Sequence, residues 1–372
     1  MKNKPEKQLK QKLANKTATI GIMGLGYVGL PLAIAFSQAG FKVLGFDTQS
    51  KKVNLINKGQ SYITDISSKD LAAAVASKRF LATTAQSRLS EPDVICICVP
   101  TPLTKAREPD LSYVIRASQT IAEHLRQGQL IILESTTYPG TTRELVLPAL
   151  EHSGLKTGQD FHLTYSPERV DPGNKKYGIK NTPKVVGGID AASTELARIL
   201  YAQVADTVLA VSSAEVAEMT KIFENTFRHV NIALVNEIAQ LCEKMGISVW
   251  EVIKAASSKP FGFMPFYPGP GVGGHCIPLD PSYLASKARE YDSKNDAARG
   301  KGTLDNLGFG IGKESAHILG RLLKPVRGDA SLKKRLPYSR EPFLSLDLKL
   351  NKSAKHIELL EPLDFNHFSA LD

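Results

Sequence analysis

From Thr17 to about Asp206, short apolar runs alternate with longer stretches of helical spacing. The runs are Thr19-Ile20-Gly21-Ile22-Met23, then FKVLGFD, DVICICV, LIILEST and FHLTYSPE. Strands this apolar are buried on both faces, and their alternation with helices marks βαβ units around a parallel sheet. A Rossmann-like, doubly wound α/β domain is predicted over residues 1–206.

After that the period changes. The run SSAEVAEMTKIFENTFRHVNIALVNEIAQLCEKMG sets Met219, Ile222, Phe223, Val230, Leu234, Ile238 and Leu241 at helical intervals. Ser212 with Glu215 reads as a capping box at its start, and Gly246 is placed to stop it. At 1.5 Å per residue one helix of roughly 50 Å results, long enough to serve as a spine or a subunit interface. SVWEVIKAAS reads as a second helix, so an all-helical middle domain is predicted over residues 207–292. Within it, PFGFMPFYPGPGVGGHCIPLDP is too long and too rich in Pro and Gly to be an ordinary connector, and is a candidate site. From Ser293 to Asp372 only KESAHILGRLL has helical spacing. That tail is expected to be weakly structured or independently folded.

The length of 372 residues fits at least two packed units. No stretch reaches the eighteen or so uninterrupted apolar residues of a membrane span, and the lysine-bearing N-terminus has no apolar signal core. A cytoplasmic protein without a membrane partner is expected. The formal net charge of +10 suits an anionic partner. That charge is spread along the chain with no aromatic-studded basic stripe, which favours a phosphorylated small molecule over nucleic acid. The four cysteines, Cys96, Cys98, Cys242 and Cys276, have no CxxC spacing and are too few for a disulfide scaffold. They read as reduced thiols, with no metal site implied.

Three groups of residues carry chemistry. Gly24, Gly26 and Gly29 form G-x-G-x-x-G directly after an apolar strand and at the start of a helical pattern. The first permits a tight turn, the second lets backbone approach a pyrophosphate, and the third lets helix and strand pack closely. Asp47 closes the next strand, roughly 20 residues on, where an acid binds ribose hydroxyls and favours NAD over NADP. Lys221 and Asn225, four apart, share a face of the long helix beside its apolar stripe; alone they would read as a solvated lysine and a surface amide. In GVGGHCIPLD, Gly271, Gly273 and Gly274 clear space for a ligand against backbone, and Cys276 sits four residues before Asp280. A lone cysteine is more often an inert buried hydrophobe. In a Gly/Pro loop beside His275 and a carboxylate, this one suits a reactive thiol, whereas Cys96 and Cys98 share a strand face and read as packing residues.

With GLGYVGLPLA, CVPTP, EST, SPER, AEMTKIFENTF and GVGGHCIPLD in order, the chain from about Ala18 to Asp292 resembles the UDP-glucose/GDP-mannose dehydrogenase family. The resemblance implies two-step, NAD-dependent oxidation of a nucleotide-sugar C6 hydroxyl to a carboxylate. SPERVDPG and the loop around Cys276 are most similar to members acting on UDP-N-acetylglucosamine, for bacterial surface polysaccharides. It implies cofactor contacts at Gly24, Gly26, Tyr27, Val28, Gly29, Asp47, Pro100, Thr101 and Thr136. It also implies substrate contacts at Glu168, Arg169, Lys221, Asn225, Phe266, Tyr267, Gly271 and Gly273. Catalytic roles fall to Cys276, Lys221, Asn225, Asp280, Glu168 and Thr136, and a homodimer would form through helix 213–245. The family's second Rossmann-like domain, which binds UDP, should follow, yet its glycine-turn strand is not found after Asp292. A frame change near Ser293 would give that pattern. The rival expectation is then an inactive copy that keeps NAD binding and dimerisation. A 6-phosphogluconate-type or 3-hydroxyacyl-type dehydrogenase shares the front and the long helix but has no use for Cys276.

Overall fold

The computed structural model describes residues 4–105, 108–170, 173–174, 176–273, 277 and 279–295. Two compact units divide between Glu224 and Asn225. The strands are β1 (Thr19–Met23), β2 (Lys42–Phe46), β3 (Phe80–Thr83), β4 (Val94–Ile97), β5 (Leu130–Leu133), β6 (His162–Tyr165), β7 (Lys184–Gly188) and β8 (Val208–Ala210). The helices are α1 (Lys4–Ala14), α2 (Gly29–Ala39), α3 (Ser50–Asn57), α4 (Ser68–Ala76), α5 (Ser112–Ala122), α6 (Leu147–Glu151), α7 (Ala191–Tyr201), α8 (Ala214–Met245), α9 (Val249–Ala256) and α10 (Asp280–Asn295).

All eight strands form one sheet in the order β3-β2-β1-β4-β5-β6-β7-β8. Every neighbouring pair is parallel except β6 with β7, which meet at Thr164 opposite Gly188 and Tyr165 opposite Gly187. The first six strands have the order of a dinucleotide-binding doubly wound sheet, whose ligand crevice lies at the carboxyl ends where the winding reverses, between β1 and β4. The predicted α/β class is therefore observed. Strands β4 and β5 are buried at every position, as expected of strands covered on both faces. The core gathers Ile20, Ile22, Phe36, Phe41, Phe80, Ile132 and Tyr201, with Phe36 and Phe41 edge to face at 5.9 Å. Each such side chain contributes roughly 1.5–3 kcal/mol by leaving water. Cys96 and Cys98 belong to this core.

Three strands escape the periodicity argument: β3, β7 and β8, each three to five residues long. Helix α1, ahead of the first expected strand, buries Leu9 and Leu13 and sends Lys12 Nζ to the Asp93 carboxylate at 2.8 Å.

Helix α8 is continuous over 32 residues, about 48 Å at 1.5 Å per residue. Its start differs from the predicted capping box. The hydroxyl that accepts is Ser213, from the Val216 N–H at 3.3 Å, while Glu215 instead binds Arg143 Nε at 2.5 Å. Its end is as expected: Gly246 takes φ +69°, and the Ile247 N–H reaches the Cys242 carbonyl. The apolar stripe divides. Ile222 is buried, but Val216, Met219, Phe223, Phe227, Leu241 and Met245 are exposed along the helix. The second helix is α9, capped by Ser248. Helix α10 continues through Ser293 to Asn295. KESAHILGRLL and the tail from 296 lie outside the described residues. Among the described residues, no helix is long and apolar enough to cross a membrane.

Candidate active site

The turn after β1 is shaped by its glycines. Gly24 has φ +95°, and a Cβ there would stand 2.6 Å from the Cys98 carbonyl oxygen of the neighbouring β4 end. A Cβ on Gly29 would stand 1.9 Å from the Gly24 carbonyl oxygen, so α2 can start this close to the turn only with glycine. Gly26 has no atom within 4 Å of its Cβ position, which leaves its face open to a ligand. Helix α2 begins after Val28 without a side-chain cap, and such an N-terminus attracts a pyrophosphate through its free N–H groups and dipole. Tyr27 is largely exposed beside it.

Asp47 follows β2 on the adjacent strand end. Its Oδ2 accepts the Leu25 N–H at 3.1 Å and its Oδ1 the Gln49 N–H at 2.9 Å, with Lys52 Nζ 3.7 Å away. The carboxylate is thus fixed against the glycine turn. Tyr62 donates to the Leu25 carbonyl, and its phenol is pushed up by burial and by Asp47. Pro100 and Thr101 follow β4, and half-buried Thr136 follows β5, so the predicted cofactor residues converge on the carboxyl ends of β1, β2, β4 and β5. Open space at Gly26 and an anchored acid at Asp47 fit a dinucleotide.

At the ends of β5 and β6 lies a charged cluster of which sequence reasoning assigned a role to Glu168 alone. Glu134, 1% exposed, receives Lys184 Nζ on Oε2 at 2.6 Å and the Tyr201 hydroxyl on Oε1. Lys184 Nζ also stands 3.7 Å from Glu168 Oε2 and over the Tyr201 ring. Burial pushes the Glu134 carboxyl up, opposed by Lys184, while the carboxylates of Glu134 and Glu168 outweigh desolvation and hold Lys184 protonated. Burial also pushes the Cys96 and Cys98 thiols up, which removes them as nucleophiles. Glu168 Oε1 accepts the Val170 N–H at 2.6 Å. Arg169 is held by Glu224 on α8 at 2.5 Å and donates to the Pro183 carbonyl at 2.7 Å.

A second unanticipated carboxyl is Glu218, fully buried on α8. It accepts the Gly140 N–H at 2.6 Å, and the Thr142 N–H and hydroxyl at 2.8 and 2.6 Å. It thereby pins the turn that follows Thr136 and opens the π-helical turn Thr142–Val146. Burial pushes its pKa up to about 7. Lys221, half-buried, follows one turn later on the same helix.

In the second unit, Asn225 is buried and donates from Nδ2 to Asp280 Oδ2, where Asp280, 2% exposed, opens α10. Asn225 is therefore no surface amide. His229, one turn on, donates from Nδ1 to the Ile277 carbonyl at 3.2 Å, and burial lowers its pKa. The loop lays Phe266 edge-on to Phe227 at 5.8 Å and stacks Tyr267 on Trp250 at 6.4 Å. Gly269 donates to Asn236 at 2.9 Å, Gly273 takes φ +70°, and Gly271 is open. Gly274, His275 and Cys276 lie outside the described residues.

A doubly wound sheet with a glycine turn at its switch point and a fixed acid after β2 defines a dinucleotide-binding protein. Residues 18–205 match the NAD binding domain of the UDP-glucose/GDP-mannose dehydrogenase family, and residues 215–302 match that family's central domain. The chain belongs to this family, and its cofactor is NAD. It is 40% identical over 273 residues to a UDP-N-acetyl-D-glucosamine 6-dehydrogenase of Salmonella typhi, covering 73% of this chain and 63% of that one. A protein of the same name from Pseudomonas aeruginosa is 35% identical over 353 residues, covering 94% and 79%. Among solved structures, the UDP-D-ManNAc dehydrogenase of Pyrococcus horikoshii superposes with a TM-score of 0.70 at 39% identity, covering 73% of this chain and 65% of that one. The chain spans just under two thirds of the length of the Salmonella and Pyrococcus proteins it matches.

Proposed function

We propose that the chain is an NAD-dependent nucleotide-sugar 6-dehydrogenase that oxidises the C6 hydroxyl of UDP-N-acetylglucosamine to the uronate in the cytoplasm, for surface polysaccharide. The observation that carries this reading is the match of both family domains to one chain whose glycine turn and Asp47 fit a dinucleotide. Bound by Gly24, Gly26, Tyr27, Val28, Gly29 and Asp47, with Pro100, Thr101 and Thr136 nearby, NAD supplies hydride acceptance for each of the two oxidations.

The chain's own residues move the protons and hold the carbon. Asp280 and Lys221 hold a water that takes the C6 hydroxyl proton. The Cys276 sulfur bonds to the resulting aldehyde carbon, and the second oxidation leaves a thioester. Glu168 takes a proton from a water aligned by Thr136; the water oxygen bonds to carbon, the C–S bond breaks, and the thiolate leaves. Asn225 commits one amide N–H to Asp280, and its second N–H with the Lys221 ammonium stabilises the oxyanion. A four-electron oxidation at one carbon needs such a covalent hold. Arg169, Phe266, Tyr267, Gly271 and Gly273 line the sugar-nucleotide side. The exposed stripe of α8 from Val216 to Met245 supports a homodimer, since a row of unpartnered apolar side chains marks an interaction surface.

Product analysis with UDP-N-acetylglucosamine, UDP-N-acetylmannosamine and UDP-glucose tests the substrate, and Cys276→Ser tests the covalent step. The uronate forms from the first sugar, and the variant stops at or before the ester. Normal acid formation by Cys276→Ser would remove the cysteine from the mechanism.

A further inference from the structure

Lys184 is one ammonium serving two carboxylates. It is buried, hydrogen-bonded to Glu134 at 2.6 Å, and 3.7 Å from Glu168, beyond a direct hydrogen bond. Beside that gap is a cavity of about 10 Å³ lined by Glu168, Arg169, Val170, Thr182, Pro183 and Lys184, at the size that admits a single water. Thr182 lines this cavity, and its hydroxyl oxygen is buried with no hydrogen-bond partner among the described residues. A buried hydroxyl without a partner costs about 1–3 kcal/mol, and a lysine ammonium has three N–H donors, of which Glu134 uses one. One water in this cavity would satisfy Thr182, take a second Lys184 donor and donate to Glu168.

We propose that Lys184 is a positioning residue for Glu168, acting through one water that it holds together with Thr182 beside the Glu168 carboxylate. Glu168 then has three restraints: the Val170 N–H on Oε1, and the water and the ammonium on the side of Oε2. A glutamate has three rotatable side-chain bonds, so without these it would sample orientations that cannot accept a proton from the hydrolytic water. Lys184 and Thr182 touch no reacting atom and contribute by keeping Glu168 in an orientation that can accept that proton. This rests on the proposed role of Glu168 in opening the thioester.

The test separates the two ideas. Lys184→Met alone strands Glu134, so the double variant Lys184→Met/Glu134→Gln, which removes both charges, is used with the single variant Thr182→Val, which touches only the water. Each is compared with Glu168→Gln for steady-state rate, KM for the UDP-sugar, and the intact mass of the protein during turnover with NAD. A loss of roughly tenfold in kcat for the double variant, with KM within about twofold and a covalent sugar-nucleotide adduct accumulating as in Glu168→Gln, is the expected result. Thr182→Val shows the same adduct with a smaller rate loss, and a crystal structure of the unaltered chain places one water within hydrogen-bonding distance of Thr182 Oγ1. If Glu168→Gln accumulates adduct and neither other variant does, the positioning role of Lys184 is wrong while Glu168 keeps its role. If Glu168→Gln accumulates none, the reading of Glu168 fails and this inference with it. Should the double variant not fold, Thr182→Val and the crystallographic water still decide.

Discussion

The dinucleotide cradle and the cluster around Glu168 occupy one unit and the same end of one sheet, yet they are built from different material. The cradle is backbone: a turn at φ +95°, a helix start where a Cβ on Gly29 would stand 1.9 Å from a carbonyl oxygen, and one acid held by two N–H groups. The cluster is side chain: Glu134, Glu168, Lys184 and Tyr201 come from two strand ends, a third strand and a helix. A backbone site tolerates little change in shape but carries one charge. A side-chain cluster tolerates shape and is governed by the balance of buried charges.

That contrast is broken most severely at Lys184. Lys184→Met leaves Glu134 buried without its cation, a loss of about 3–5 kcal/mol, read as a large fall in Tm; adding Glu134→Gln restores most of it. An unchanged Tm for the single variant would mean that the pair contributes nothing.

The next effect is a pH dependence. Glu218 has its pKa raised by burial to about 7, above its unfolded value, so its contribution to stability is present at low pH and is lost as pH rises from about 4.5 through about 7. Urea midpoints at pH 5 and pH 8 should diverge more in the natural chain than in Glu218→Gln, by an amount on the order of 3 kcal/mol at most. Parallel pH profiles would show that Glu218 is ionised throughout.

Gly29→Ala tests the backbone site, where the added methyl overlaps the Gly24 carbonyl. Overpacking of this kind costs about 1–3 kcal/mol, and calorimetry should register loss of NAD binding while folding stability falls only by that amount. Asp47→Asn keeps the shape and removes the charge. NAD affinity should fall about tenfold, roughly 1.4 kcal/mol, with weaker discrimination against NADP. The smallest effect on the fold is at exposed Phe223, where Phe223→Glu should move stability by no more than about 0.5 kcal/mol yet shift light-scattering mass from dimer to monomer.

How much of this was legible in the sequence follows the same division. Strand β1 and the glycine turn leave a local signal, because tight turns and close approaches require glycine at fixed spacing. Asp47 was legible for the same reason, as the residue that ends the next strand. Strands β3, β7 and β8 were not, since FLAT, KVVGG and VLA lie in no apolar run as marked as DVICICV or LIILEST, and β8 is largely exposed. The helix cap lies at Ser213 and not Ser212, two adjacent serines that spacing alone does not tell apart. The partners of Glu134 lie 50 and 67 residues along the chain, and those of Glu218 some 76 to 78 residues back. No spacing rule reaches so far. His229 and its hold on Ile277 were missed on the same ground, although a histidine four residues past Asn225 on a helix face was the available clue.

The most direct test of the central claim is the number of NADH formed per sugar consumed when the purified chain is given NAD and limiting UDP-N-acetylglucosamine. Two NADH per sugar, with the uronate as product, is the result expected of a cradle that serves both oxidations and a cysteine that holds the carbon between them. NAD binding with no NADH formed would contradict the account and leave a chain that keeps its cofactor domain without the chemistry.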